Sequence, residues 1–306
     1  MPFGHNPWRP NSVCFPPFEC WFIVRNARQT YSGDVMTAGV YRAILLVATT
    51  LVAMSVAHAG DFLKGIEAFQ RGDYDTALEH WLPMAEGGDL NAMYNVALIY
   101  DQGLGRPADK LLALRWYRAP ADEGDVSAQF NIATIHHFGD GVVVNKREAA
   151  RWYQAAAELA DEEAQFNLGL MYASGEGVDR NAATAIHWFR LSADQGHSGA
   201  QFRLGHIYDL GDGVAEDNTE AMRWYLLAAN QGNSIAQNNL GAMYFSGEAA
   251  VFDWIQAYKW FYIAEQLGNH ESRTNRLSSA KLMSRSDIAE AQKQAEDWLE
   301  KYPIGR

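Results

Sequence analysis

Apolar and small residues along this chain fall into a block that returns every 36 residues. In one copy, Ala164, Leu168, Gly169 and Tyr172 stand at offsets of four, five and eight with polar residues between them, which is one stripe of an α-helix. The stripe recurs as Ala128, Ile132, Ala133 and His136, as Ala200, Leu204, Gly205 and Tyr208, and as Ala236, Leu240, Gly241 and Tyr244. Copies therefore start at Ala92, Ala128, Ala164, Ala200 and Ala236. One slot is always tiny: Ala97, Ala133, Gly169, Gly205, Gly241. Glycine within a helix costs about 1 kcal/mol against alanine, so its presence predicts close approach by a second helix.

The ends of both helices are readable. Gly103, Gly139, Gly175, Gly211 and Gly247 fall where a left-handed cap closes a first helix. Asp73, Asp109, Asn145, Asn181, Asp217 and Asp253, again 36 apart, predict the N-cap of a second helix. Glu148, Glu220 and Gln256 stand three residues on, the spacing of a capping box. The second helix carries Trp116-Tyr117, Trp152-Tyr153, Trp188-Phe189, Trp224-Tyr225 and Trp260-Phe261. One large ring pair per copy suits the narrow core of a stack better than a ligand cage. The preceding column, Arg115, Arg151, His187, Arg223 and Lys259, reads as a solvated basic edge.

A fixed period of this length marks a solenoid in which each unit buries its apolar face against its neighbours. The pattern A-x-x-x-L-G-x-x-Y-x-x-G-x-G-V, then D/N-x-x-x-A-x-x-W-Y/F-x-x-A-A-x-x-G, resembles the Sel-one-like repeat family, a branch of the tetratricopeptide class, from Asp61 to about Tyr302. The resemblance implies an all-α, right-handed solenoid of antiparallel helix pairs and adaptor, assembly or regulatory roles. It also implies a minority alternative. Some secreted relatives bind or hydrolyse penicillin-like ligands, but they carry a cysteine pair in each repeat, and this chain has none there.

The ends decay into caps. Residues 61–91 form a leading pair with Trp81 in the tyrosine slot, the repeats occupy 92–271, and capping helices occupy 272–302. Ser284-x-x-Asp287 opens the last of these, an amphipathic helix. Two departures stand out. Pro120 should kink or shorten its helix, and Ala160 stands where other copies have glycine.

Upstream, Arg42, the uncharged run from Ala43 to Val56 and Ala57-His58-Ala59 make up a secretory signal peptide from Met36 to Ala59. Residues 1–35, which hold both cysteines, read as a mis-called or disordered leader, with Met36 as the start. The full chain carries a net charge of −12. Removing residues 1–59, with four arginines and two acids, leaves 21 basic and 35 acidic residues, a net of −14. That disfavours nucleic acid and anionic lipid as partners. It suits a periplasmic or secreted chain without stable membrane insertion once the signal is removed.

No nucleophile elbow, P-loop, dinucleotide fingerprint or H-E-x-x-H motif occurs. His136 and His137 point about 100° apart on a helix and do not share an ion readily. No catalytic, cofactor or metal residue is assigned. The candidate surface is instead the concave side expected for the first helices, at their third, seventh and tenth slots: Tyr94, Phe130, Phe166 and Phe202, with His137, His206 and Asp209. A row of rings there makes a groove for a protein or peptide, unless the rings pack on the neighbouring pair. The reading is an exported, non-enzymatic interaction scaffold, a periplasmic regulator or assembly adaptor. The alternative is a cell-envelope enzyme or small-ligand binder acting on peptidoglycan or β-lactams, which a carboxylate pair in a closed pocket would favour.

Overall fold

The computed structural model describes residues 59–139, 141–247 and 252–302. The expected leader, and the signal peptide up to its last residue, lie outside the described residues. The described chain is all-α. Helix α1 covers residues 59–70, followed by α2 (Tyr74–Glu86), α3 (Leu90–Gln102), α4 (Lys110–Asp122), α5 (Val126–Phe138), α6 (Lys146–Glu158) and α7 (Glu162–Ser174). Then come α8 (Ala182–Asp194), α9 (Ser198–Leu210), α10 (Asn218–Asn230), α11 (Ser234–Ser246), α12 (Trp254–Gln266), α13 (His270–Ala280) and α14 (Arg285–Lys301). None of these helices is long and apolar enough to cross a membrane.

The described residues divide into two compact units, one up to Met84 and one from Ala85 onward. Within the described part of the first, buried Trp81 packs on Phe62 and Phe69 and donates its indole N–H to the Phe62 carbonyl at 3.2 Å. Gly65 is obligatory beneath it, since a Cβ there would lie 2.3 Å from the indole nitrogen.

In the second unit consecutive helices from α3 to α13 pack on one another, and α14 closes against α12. The strongest pairings are α3 with α4, α5 with α6, α7 with α8, α9 with α10 and α11 with α12, which are the helix pairs of the 36-residue block. Asp109, Asn145, Asn181, Asp217 and Asp253 cap the second helix of each pair, their side chains accepting backbone N–H bonds. The glycines at 103, 139, 175, 211 and 247 adopt φ between 66° and 78° and end the first helices. The tiny slot does what its size suggests. A Cβ on Gly169, Gly205 or Gly241 would lie 2.6–2.8 Å from the buried ring of Phe189, Tyr225 or Phe261.

Three local expectations change. The helix of Pro120 does not end early: α4 keeps the 13 residues of its equivalents. Proline removes one N–H near the last turn, and the Glu123 and Asp125 N–H groups still close the end on the carbonyls of Ala119 and Pro120. Glu148 and Glu220 complete no capping box. Each turns to the arginine three residues on, Arg151 or Arg223, and Glu148 also accepts the Trp152 indole N–H at 2.9 Å. A charged donor outcompetes a single backbone amide. The basic column also leans on its rings rather than standing free. Arg151, Arg223 and Lys259 lie 4.5, 4.0 and 4.8 Å from the ring centroids of Trp152, Trp224 and Trp260.

Two further columns organise the stack. Asp89, Asp125, Asp161, His197, Asn233 and Asn269 cap the first helices and α13. His197 does so with Nδ1, which accepts the Ala200 N–H at 3.0 Å, so its proton sits on Nε2, 3.3 Å from Glu163. Buried Gln129, Gln165, Gln201 and Gln237 each donate to a carbonyl at the end of the preceding helix, those of Ala121, Ala157, Ala193 and Ala229. These bonds satisfy acceptors that a helix terminus leaves open.

Candidate functional site

The third slot of the first helices holds Tyr94, Phe130, Phe166 and Phe202, all half-buried. Each ring meets the buried ring of its own partner helix: Tyr94 with Tyr117 at 5.5 Å, Phe130 with Tyr153 at 5.6 Å, Phe166 with Phe189 at 5.9 Å and Phe202 with Tyr225 at 6.0 Å between centroids. Each ring therefore supports the core with part of its surface exposed, and Tyr94, beside Ser127 and Asn131, and Phe166, beside His197, also pack on the next pair. Phe166 is braced further by the His197 ring at 4.4 Å.

The partner-helix rings bring hydroxyls to this face. Tyr117 O–H donates to Asp101 Oδ2 at 3.4 Å, and Tyr225 O–H donates to Asp209 Oδ2 at 3.0 Å while accepting from Asn239 Nδ2 at 3.1 Å. Tyr153 pairs with Thr134 at 3.3 Å and packs near the His137 ring. Burial pushes all three phenols up, Tyr153 to about 12. They stay protonated, and so able to donate, at neutral pH.

The tenth slot of the first helix tracks this chemistry. Asp101, His137 and Asp209 face tyrosines, whereas Ala173 and Phe245 stand where the partner ring is Phe189 or Phe261. The face thus carries both polar and apolar stations. The structure brings His137 beside Tyr153, sets His206 near Phe202 at 6.1 Å, and places Asp209 on Tyr225. Burial and Lys146 both hold the His137 imidazole below its usual range, with Glu176 opposing them. Sequence reasoning missed Tyr117, Tyr153 and Tyr225. The signal was available as the co-variation between copies at two positions 16 residues apart.

A cavity of about 680 Å³, open to solvent, lies against Asn145, Arg147, Gly175, Gly177, Val178 and Asp179, with one carboxylate in its lining. Among the described residues no three potential metal ligands gather into a site.

Segments 59–89, 90–125, 126–161, 162–197, 198–233 and 234–269 each match the Sel1 repeat. From 90 onward each matched segment starts at the first residue of a first helix, or of α3, α5, α7, α9 and α11 in turn. Among solved structures the chain is similar to c5321, a protective antigen of uropathogenic Escherichia coli strains displaying an SLR fold. Identity is 31% and the TM-score 0.70, over 82% of this chain and 55% of that one. The chain thus spans little more than half the length of that relative. A Sel1 repeat protein from Oxalobacter formigenes is 28% identical with a TM-score of 0.63, over 79% of this chain and 96% of that one. No curated protein matches.

Proposed function

The chain belongs to the Sel1 repeat family, whose members are generally protein-interaction scaffolds, and on that premise we propose that it is an exported adaptor that captures a protein or peptide segment on the face of its first helices. The observation that carries this reading is the single-slot row of Tyr94, Phe130, Phe166 and Phe202, four half-buried rings held by the cores of four successive pairs. Rings anchored in the core with part of their surface exposed supply contact area with little entropy left to lose on binding. Export follows from the signal pattern of residues 36–59, and processing after Ala59 leaves a strongly acidic scaffold in the cell envelope.

Phe166→Ser tests the face. Because Phe166 is only half-buried, the change should cost about 1–2 kcal/mol of stability, less than the roughly 3–5 kcal/mol of a fully buried phenylalanine. It should abolish capture of partners from the envelope fraction. Undiminished capture by a folded variant overturns the face. N-terminal sequencing of the envelope form should start at Gly60, and a mature species that retains residues 1–35 overturns the processing reading.

A further inference from the structure

The tenth slot is matched by the residue nine positions later, at the start of the second helix of each pair. Asp101 is followed by Lys110, His137 by Lys146, Ala173 by Ala182, Asp209 by Asn218 and Phe245 by Trp254. At Asp101 the match is an ion pair. Lys110 Nζ lies 2.9 Å from Oδ1, with the two side chains only 17% and 15% exposed, and Tyr117 O–H takes Oδ2. At the equivalent place 108 residues on, Tyr225 O–H takes Asp209 Oδ2 as before, but the cation is absent. Asn218 replaces it. Its Nδ2 donates to Glu216 at 3.2 Å, and its Oδ1 is sheltered without a partner among the described residues. Asp209 has no ion pair among the described residues. It stands one turn from His206 and two from Phe202, and the same slot one copy later is Phe245.

We propose that Asp209 is the anchor for a lysine or arginine side chain of the captured peptide, which takes the place that Lys110 fills at Asp101. The proposal rests on the interaction-face reading above and names the chemistry of the occupant. A guanidinium or ammonium would meet Oδ1 while Tyr225 holds Oδ2. The aliphatic stem of such a side chain is suited to the apolar rings beside the carboxylate. One copy before, Phe166, Leu170 and Ala173 offer an apolar station for a neighbouring residue of the same peptide. The occupant is thus a basic–apolar segment, complementary to a chain whose net charge is −12.

The probes are two short labelled peptides, one of repeating Arg-Leu-Ser and one of repeating Glu-Leu-Ser, titrated into the purified protein by fluorescence anisotropy. The arginine peptide should bind and weaken with added salt, and the glutamate peptide should not. Asp209→Asn keeps an acceptor for Tyr225 and removes the charge; it should weaken the arginine peptide about tenfold. Asn218→Lys should do the same by supplying the missing cation from within. Asp101→Asn, whose charge is already taken, should leave affinity unchanged. Melting temperatures verify that each variant is folded, and the two independent substitutions guard against one that is not. If Phe166→Ser weakens the peptide while Asp209→Asn and Asn218→Lys do not, the anchor is wrong and the face stands. Equal loss with Asp101→Asn, binding of the glutamate peptide, or no binding of the arginine peptide also overturns the anchor. The face is judged separately by partner capture with Phe166→Ser.

Discussion

The turn after α8 and the turn after α6 perform the same connection with different residues. After α8, Gly196 adopts φ 103° with nothing near its missing Cβ, and Gln195 donates to buried Gln165 Oε1 at 2.9 Å. The turn after α10 repeats this with Gly232 and with Gln231 on Gln201 at 2.8 Å. After α6 both features are gone. Ala160 is forced to φ 64°, and Leu159 stands where the glutamine would, so Gln129 Oε1 is buried without a partner among the described residues. The turn after α12 separates the two losses: Gly268 is retained, but Leu267 replaces glutamine and Gln237 Oε1 is left without a partner. The left-handed turn therefore forms without the latch. The stack survives the loss of the latch because the Gln129 and Gln237 donors still reach their carbonyls.

Four substitutions probe this contrast, each read as a shift of the urea unfolding midpoint. Gln195→Leu should cost about 2 kcal/mol, because it strands Gln165 Oε1 as Gln129 Oε1 is stranded naturally. A negligible loss would mean that the latch carries no energy. Gly196→Ala should cost about 1 kcal/mol, left-handed backbone strain partly offset by the less flexible unfolded chain, there being no clash to add. In the opposite direction, Leu159→Gln should gain about 1 kcal/mol by supplying the absent donor, and an unmoved midpoint would show that this turn cannot adopt the geometry of its equivalents. Ala160→Gly should gain about 0.5 kcal/mol, the relieved strain being partly offset by the flexibility of glycine in the unfolded chain.

The helix phase, the caps of the second helices, the left-handed glycines and the capping box at Ser284 were all legible, because each depends on residues within a few positions. The glutamine column was equally regular in the sequence yet carried no obvious meaning. Its bonds run eight and 30 residues away, and only the packed helices bring those groups together. The tyrosine hydroxyls were hidden for the same reason, since a ring read correctly as core can still reach through the pair to its far side. Glu148 shows the opposite limit. Its spacing fitted a capping box, but Arg151 and Trp152 on the same helix claimed the carboxylate. His197 capped a helix where Asp or Asn stands in every other pair, a role that its residue type did not announce.

From α4 to α11 each helix leans chiefly on the one before and the one after it. A chain connected in this way is a set of springs in series. Every junction bears the same tension when the two ends are pulled apart, so extension concentrates at the most compliant joint. A captured protein held along the first-helix face would splint every joint that it spans, so that binding stiffens the scaffold as a splint stiffens a hinge.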